Sequence, residues 1–124
     1  MKYLCLVYLS PEHWSSAPDE ACFACSQEMA ASGHFITGAP LHPVHTATTV
    51  RVRNGRPTVT DGPFAETKEA LAGFYLIEAR DLNEAIQVAS LHPAARTGEK
   101  IGWAVEVRPI EEMPDCKKPA SERE

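Results

Sequence analysis

Apolar and polar positions divide the chain into short elements that alternate between periods of two and of three to four residues. From Lys2 to Leu9, Tyr3, Cys5, Val7 and Leu9 fall on one face and Leu4, Leu6 and Tyr8 on the other, the pattern of a central strand buried on both sides. Ser16, Pro18 and Asp19 give a helix-start signal and Gly33 a stop, so a helix is predicted over 17–32 with Cys22, Cys25 and Met29 on one stripe. Phe35 to Ala39, bounded by Pro40, reads as a second strand. The segments Thr46 to Arg53 and Arg56 to Thr60 flank Asn54-Gly55, a dipeptide whose positive φ angles suit a tight hairpin. Asp61-Gly62-Pro63 then breaks the strand and opens a loop to about Glu69, because Pro63 cannot donate to a ladder.

Leu71 to Ala79 is then a strong strand. Asp81, with Glu84 three residues later, caps a second helix whose apolar face carries Leu82, Ala85, Ile86 and Ala89, and Pro93 ends it. Trp103, Val105 and Val107 alternate with Ala104, Glu106 and Arg108 in a last strand. The order is βαβ, hairpin, βαβ, which predicts an α+β ferredoxin-like sandwich: an antiparallel sheet with both helices on one side. The other side would then carry Leu4, Leu6, Tyr8 and part of Phe74 to Ile77 uncovered. At about 25 cal/mol per Å² of apolar surface, exposing several such side chains forgoes several kcal/mol, so a homodimer packed sheet to sheet is expected. One domain over 1–110 and a flexible tail over 111–124, where Pro114 and Pro119 interrupt alternating charges, complete the outline.

Composition narrows the function classes. A chain of 124 residues with 44% hydrophobic content has room for one core. Its formal charge of −5 and interspersed Lys and Arg leave no basic stripe for nucleic acid. The longest apolar run is too short for a membrane span, and no signal-peptide pattern precedes it, so a cytoplasmic protein is expected. There Cys5, Cys22, Cys25 and Cys116 would stay reduced, with no disulfide framework.

The run from Asp61 to Glu69 (DGPFAETKE), followed by Gly73-Phe74-Tyr75-Leu76-Ile77-Glu78, resembles the signature of the DGPF branch of the YCII-related proteins. Thr48 to Arg51, the Gly38-Ala39-Pro40-Leu41 turn, Pro93-Ala94-Ala95 and Val105 to Pro109 also match, so the resemblance spans nearly everything except the tail. It implies a dimeric α+β barrel with a cleft on each subunit. The family's understood relatives include an enzyme that removes chloride from a hydroxylated aromatic ring. Members of this branch also occur beside extracytoplasmic-function sigma factors, which implies an accessory or regulatory role for some. The better-studied branch pairs a helix histidine with an aspartate; those positions fall here at Cys22 and Asp61, so half of the pair is replaced.

Asp61 is the leading candidate for a catalytic group, as a carboxylate whose pKa desolvation beside Phe64 would raise into a useful range. Its alternative is to accept hydrogen bonds from its own turn. Phe64 and Tyr75 are candidate pocket walls, with a plug in the dimer core as the alternative for Phe64, and Lys68 is a candidate anchor for an anionic or hydroxylated ligand. His42 and His45 flank Pro43, where imidazoles beside a cleft would suit proton transfer, but two histidines do not make a zinc site and no metal is assigned. Cys22 and Cys25 form a CxxC inside a helix stripe, read as buried small hydrophobes, with a cleft-facing Cys22 thiol as the alternative. His34 opens a strand and His92 closes a helix, where its charge would favour the dipole; neither is assigned to catalysis. No phosphate loop or nucleotide fingerprint is present, so no cofactor is assigned. Two functions follow: a small-molecule enzyme with lyase- or isomerase-type proton transfer in a cleft near the dimer interface, or a non-catalytic dimeric module acting with a sigma factor.

Overall fold

The computed structural model describes residues 1–16 and 19–112; the side chains of residues 16, 19–23 and 26 lie outside that description. Six strands and three α-helices follow in the order β1 (Lys2–Leu9), α1 (Asp19–Ser32), β2 (Phe35–Pro40), β3 (Thr48–Arg53), β4 (Arg56–Asp61), β5 (Ala70–Glu78), α2 (Leu82–Ala89), α3 (Pro93–Thr97) and β6 (Ala104–Pro109). Short 3-10 turns stand over Pro11–Ser16, Val44–Thr46 and Glu99–Ile101. The main sheet is antiparallel with strand order β2-β5-β1-β6, and β3 and β4 form a separate two-stranded ribbon. This mixed α+β arrangement is consistent with the ferredoxin-like sandwich expected from the sequence.

Strand alternation sets the layers. Tyr3, Cys5, Val7 and Leu9 are buried and share one core with Cys25 and Met29 of α1 and Ala85, Val88 and Ala89 of α2. Leu4, Leu6, Tyr8, Phe74 and Leu76 lie on the opposite face and are only half-buried. β1 is central as expected, and Pro40 is tolerated because β2 is an edge strand. Ala72 is an extra residue in β5, since Val7 pairs with Gly73 while Tyr8 pairs with Leu71. Such a bulge bends its strand and re-aims its neighbours.

The second half of the chain departs from expectation in three places. Pro93 does not merely end α2; it opens α3, where a missing N–H costs nothing because the first-turn amides have no intrahelical acceptor. His92 is accordingly the N-cap of α3, and its expected role of placing charge at a helix C-terminus is corrected. Trp103 precedes β6 and lies in the turn after Gly102, whose φ is 63°. The face of α2 is also rotated: Ala85, Val88 and Ala89 are buried, whereas Leu82 and Ile86 are about half exposed. The N-terminus of α2 is as predicted, with Asp81 Oδ1 accepting from Glu84 N at 2.9 Å and Glu84 Oε1 accepting from Arg80 N at 2.9 Å. The expected helix start at Ala17 and Pro18 and the tail beyond Glu112 lie outside the described residues.

Candidate active site

Between the sheet and the helix layer, at the end of the sheet where β2 and β1 finish and β5 begins, lies a cavity of about 490 Å³. That volume falls within the range of small-molecule sites, about 300–1,000 Å³. Its aromatic walls include Trp14, Phe35, Tyr75, His92 and Trp103, with Cys25 and Met29 reaching in from α1. No Asp, Glu, Lys or Arg among the described residues lines it.

Two close approaches shape the cavity. Gly38 on β2 faces Tyr75, and a Cβ built at Gly38 would stand 2.7 Å from Tyr75 Cβ. A side chain there would push β2 away from β5. Gly98, after α3, is pressed so tightly between Ala94 O and Trp103 O that a Cβ would overlap both. Glycine at this turn lets the α3 end and Trp103 share one wall.

The polar groups of the cavity are few and constrained. His92 Nδ1 accepts from Ala94 N at 3.0 Å. Its ring stacks on Tyr75 with centroids 5.6 Å apart and meets Trp103 edge-on, also at 5.6 Å. Burial lowers the His92 pKa to about 4, so the imidazole is neutral near pH 7. Tyr75 is 5% exposed, and its hydroxyl is buried without a hydrogen-bond partner among the described residues. Its polar neighbours include the thiols of Cys5, directly across the strand pair, and Cys25. A thiol is a weak partner for a phenol, so the contact with Cys5 does not replace an oxygen or nitrogen acceptor. Burial chiefly, and then these sulfurs, push the Tyr75 pKa far up. Burial likewise raises the Cys5 thiol to about 11, opposed by its contact with Tyr75.

Of the candidate site residues, the structure brings Tyr75 into this cavity and places Asp61, Phe64, Lys68 and His42 elsewhere. Asp61 is exposed at the end of β4, opposite Thr48, and does not line the cavity. Phe64 is 76% exposed, with the Arg51 guanidinium 5.2 Å above its ring. Lys68 is exposed on the same loop, and His42 is exposed beyond the end of β2. Cys22 belongs to α1, but its side chain lies outside the described residues. Among the described residues no cluster of three or more His, Cys, Asp or Glu side chains could hold a metal.

His92 is the group that sequence reasoning passed over. The signal was the dipeptide His92-Pro93: proline favours the first helical position, so the residue before it is a candidate N-cap.

Residues 1–114 match the YCII-related domain. The chain belongs to the YCII-related family. A relative in Rhizobium meliloti (strain 1021), the uncharacterised protein R00369, is 41% identical over 80 residues. That stretch covers 61% of this chain and 64% of the relative, so the match spans under two thirds of the relative's length. Among solved structures, the 5-chloro-2-hydroxyhydroquinone dehydrochlorinase TftG from Burkholderia phenoliruptrix AC1100, in complex with 2,5-dihydroxybenzoquinone, superposes with a TM-score of 0.54 at 17% identity. The superposition covers 91% of this chain and 96% of that one, which establishes a shared fold. No helix among the described residues is long and apolar enough to cross a membrane.

Proposed function

We propose that this YCII-related protein binds a small organic molecule in the cavity between sheet and helices and acts on it by lyase- or isomerase-type proton transfer. The observation that carries the reading is the cavity itself: about 490 Å³, walled by aromatic side chains, with His92 as a polar group in its wall. A roomy, largely apolar cavity with few polar groups is the usual form of a small-molecule site. The dehydrochlorinase that shares the fold gives a precedent for lyase chemistry on this scaffold. Quinones, lactones and halogenated phenols are the compounds to test, following carbon-bound hydrogen exchange in D₂O and halide release. Catalysed exchange or release supports the reading; binding without either reduces the protein to a binding module.

The open face of the sheet supports a homodimer. Leu4, Leu6, Tyr8, Phe74 and Leu76 form one apolar surface, and a second copy covers it by sheet-to-sheet packing, giving a dimeric α+β barrel. Asp61, which does not reach the cavity within one chain, takes part in proton transfer in this reading if the ribbon of the second subunit delivers it. Leu6→Glu then converts the dimer to a monomer in analytical ultracentrifugation, and an unchanged sedimentation coefficient contradicts the dimer.

A second reading draws support from the described residues of the cavity lining, which include no carboxylate or ammonium. On that reading the protein is a dimeric accessory module that senses a ligand and acts with an extracytoplasmic-function sigma factor. Stoichiometric co-purification with such a factor supports it, and catalytic turnover in the screen above removes the need for it.

A further inference from the structure

The proposed function leaves the chemical class of the ligand open, and the constraints on His92 narrow it. A backbone N–H can only donate, so its 3.0 Å contact fixes Nδ1 of His92 as an acceptor. In a neutral imidazole the proton then resides on Nε2. Nε2 meets no hydrogen-bond partner among the described residues and, unlike the Tyr75 hydroxyl, is not sealed from solvent-sized molecules. The ring cannot turn freely, because Tyr75 stacks on one side and Trp103 abuts it edge-on. It is a donor held in one orientation on the wall of an apolar cavity, so a ligand need not pay to order it.

We infer that His92 offers its Nε2–H to a carbonyl oxygen, and that the ligand class is an uncharged, planar carbonyl compound such as a cyclic ketone, enone or lactone. This rests on the cavity being the binding site. Charge is disfavoured because no Asp, Glu, Lys or Arg among the described residues lines the cavity to compensate it. A planar ligand suits walls that include the aromatic rings of Trp14, Phe35 and Trp103. His92 does not serve as a base, since its remaining lone pair is engaged by Ala94. A neutral imidazole acts instead as the donor that polarises a carbonyl.

The test uses three probes on one bicyclic frame: 1-indanone, indene, which lacks the oxygen, and indane-1-carboxylate, which carries charge. The chain's two tryptophans both line the cavity, so their indole ¹H–¹⁵N signals report occupancy directly. A single neutral hydrogen bond gives 1-indanone about a fivefold to tenfold tighter dissociation constant than indene, with the carboxylate weakest. In His92→Phe that ratio falls to about one while indene binding is unchanged. A second measurement needs no variant: the imidazole ¹⁵N shifts of native His92 report a proton on Nε2, and this signal moves with 1-indanone and not with indene. Equal binding of the ketone and indene, a ratio preserved in His92→Phe, a proton on Nδ1, or tight binding of the carboxylate overturns the inference and leaves the cavity reading intact. Failure of all three probes to move either indole signal overturns the cavity reading and the inference with it.

Discussion

The sandwich and the ribbon are built from similar residues and end in opposite states. In the sandwich, Cys5 and Ile77 are fully buried, and Tyr75 at 5% exposure forms a cavity wall. On the ribbon, Val50, Val52 and Val59 are each more than 60% exposed, and every residue of β4 is exposed. Val50 pairs with Val59 and Val52 with Pro57, which makes one ribbon face apolar, while Arg51, Arg53 and Arg56 belong to the other. Two strands alone are marginal in water, so the ribbon contributes little to the stability of a single chain. The densest sequence signal, Asp61 to Glu69, thus belongs to the exposed region, whereas the buried polar groups, Tyr75 and His92, come together only through the packing of separate elements.

Stability measurements sharpen this contrast. The largest expected effect is at the cavity wall: Tyr75→Ala removes a buried aromatic side chain and destabilises by about 3–5 kcal/mol in urea unfolding. Tyr75→Phe removes the unpartnered hydroxyl alone and leaves the protein at least as stable as before, because leaving such a group buried costs about 1–3 kcal/mol. A clear loss of stability in Tyr75→Phe would show that the Cys5 contact is a strong bond. Next, Gly98→Ala forces a methyl group against Ala94 O and Trp103 O. Overpacking of this kind costs about 1–3 kcal/mol, measured from the same unfolding midpoints.

Acidification separates the regions by another route. The folded pKa of His92, about 4, lies below its ordinary 6.5. Between these values the unfolded chain binds the extra proton, so stability is intact above pH 6.5, declines as pH falls toward 4, and loses no more from this residue below that. The direct cause is burial, and protonation at Nδ1 also breaks the cap on Ala94. His92→Asn, which can still cap α3, flattens the midpoint profile over that window; an unaltered profile contradicts the assignment. The smallest effect is expected on the ribbon. Phe64→Ala removes the stacking of Arg51 and changes stability by about 0.5–1 kcal/mol, and a larger loss would mean that the ribbon is part of the folding core.

The sequence disclosed the parts of this molecule whose causes are local. The alternation from Lys2 to Leu9, the positive-φ turn at Asn54-Gly55 and the Asp81–Glu84 cap each rest on neighbours within a few residues, and each is found where expected. The cavity was not disclosed, because Trp14, Cys25, Tyr75, His92 and Trp103 come from five separate elements or turns and meet through strand register and helix placement. His92-Pro93 shows how a local rule gave the wrong sign: proline after a helix reads as a stop, and here the same residue also starts the next helix. Asp61 shows the reverse case. Its motif is conspicuous, yet its neighbours serve the ribbon, with Gly62 N donating to Ala47 O at 2.7 Å and Thr49 Oγ1 donating to Gly62 O at 2.8 Å.

The central claim is that ligands enter the cavity and not the ribbon, and a backbone amide ¹H–¹⁵N titration with 1-indanone tests it most directly. Shifts are expected to concentrate at Gly38, Gly73, Tyr75, His92 and Trp103, with the amides from Thr46 to Glu69 unmoved. Shifts concentrated around Asp61 to Lys68, with the cavity amides silent, would contradict it.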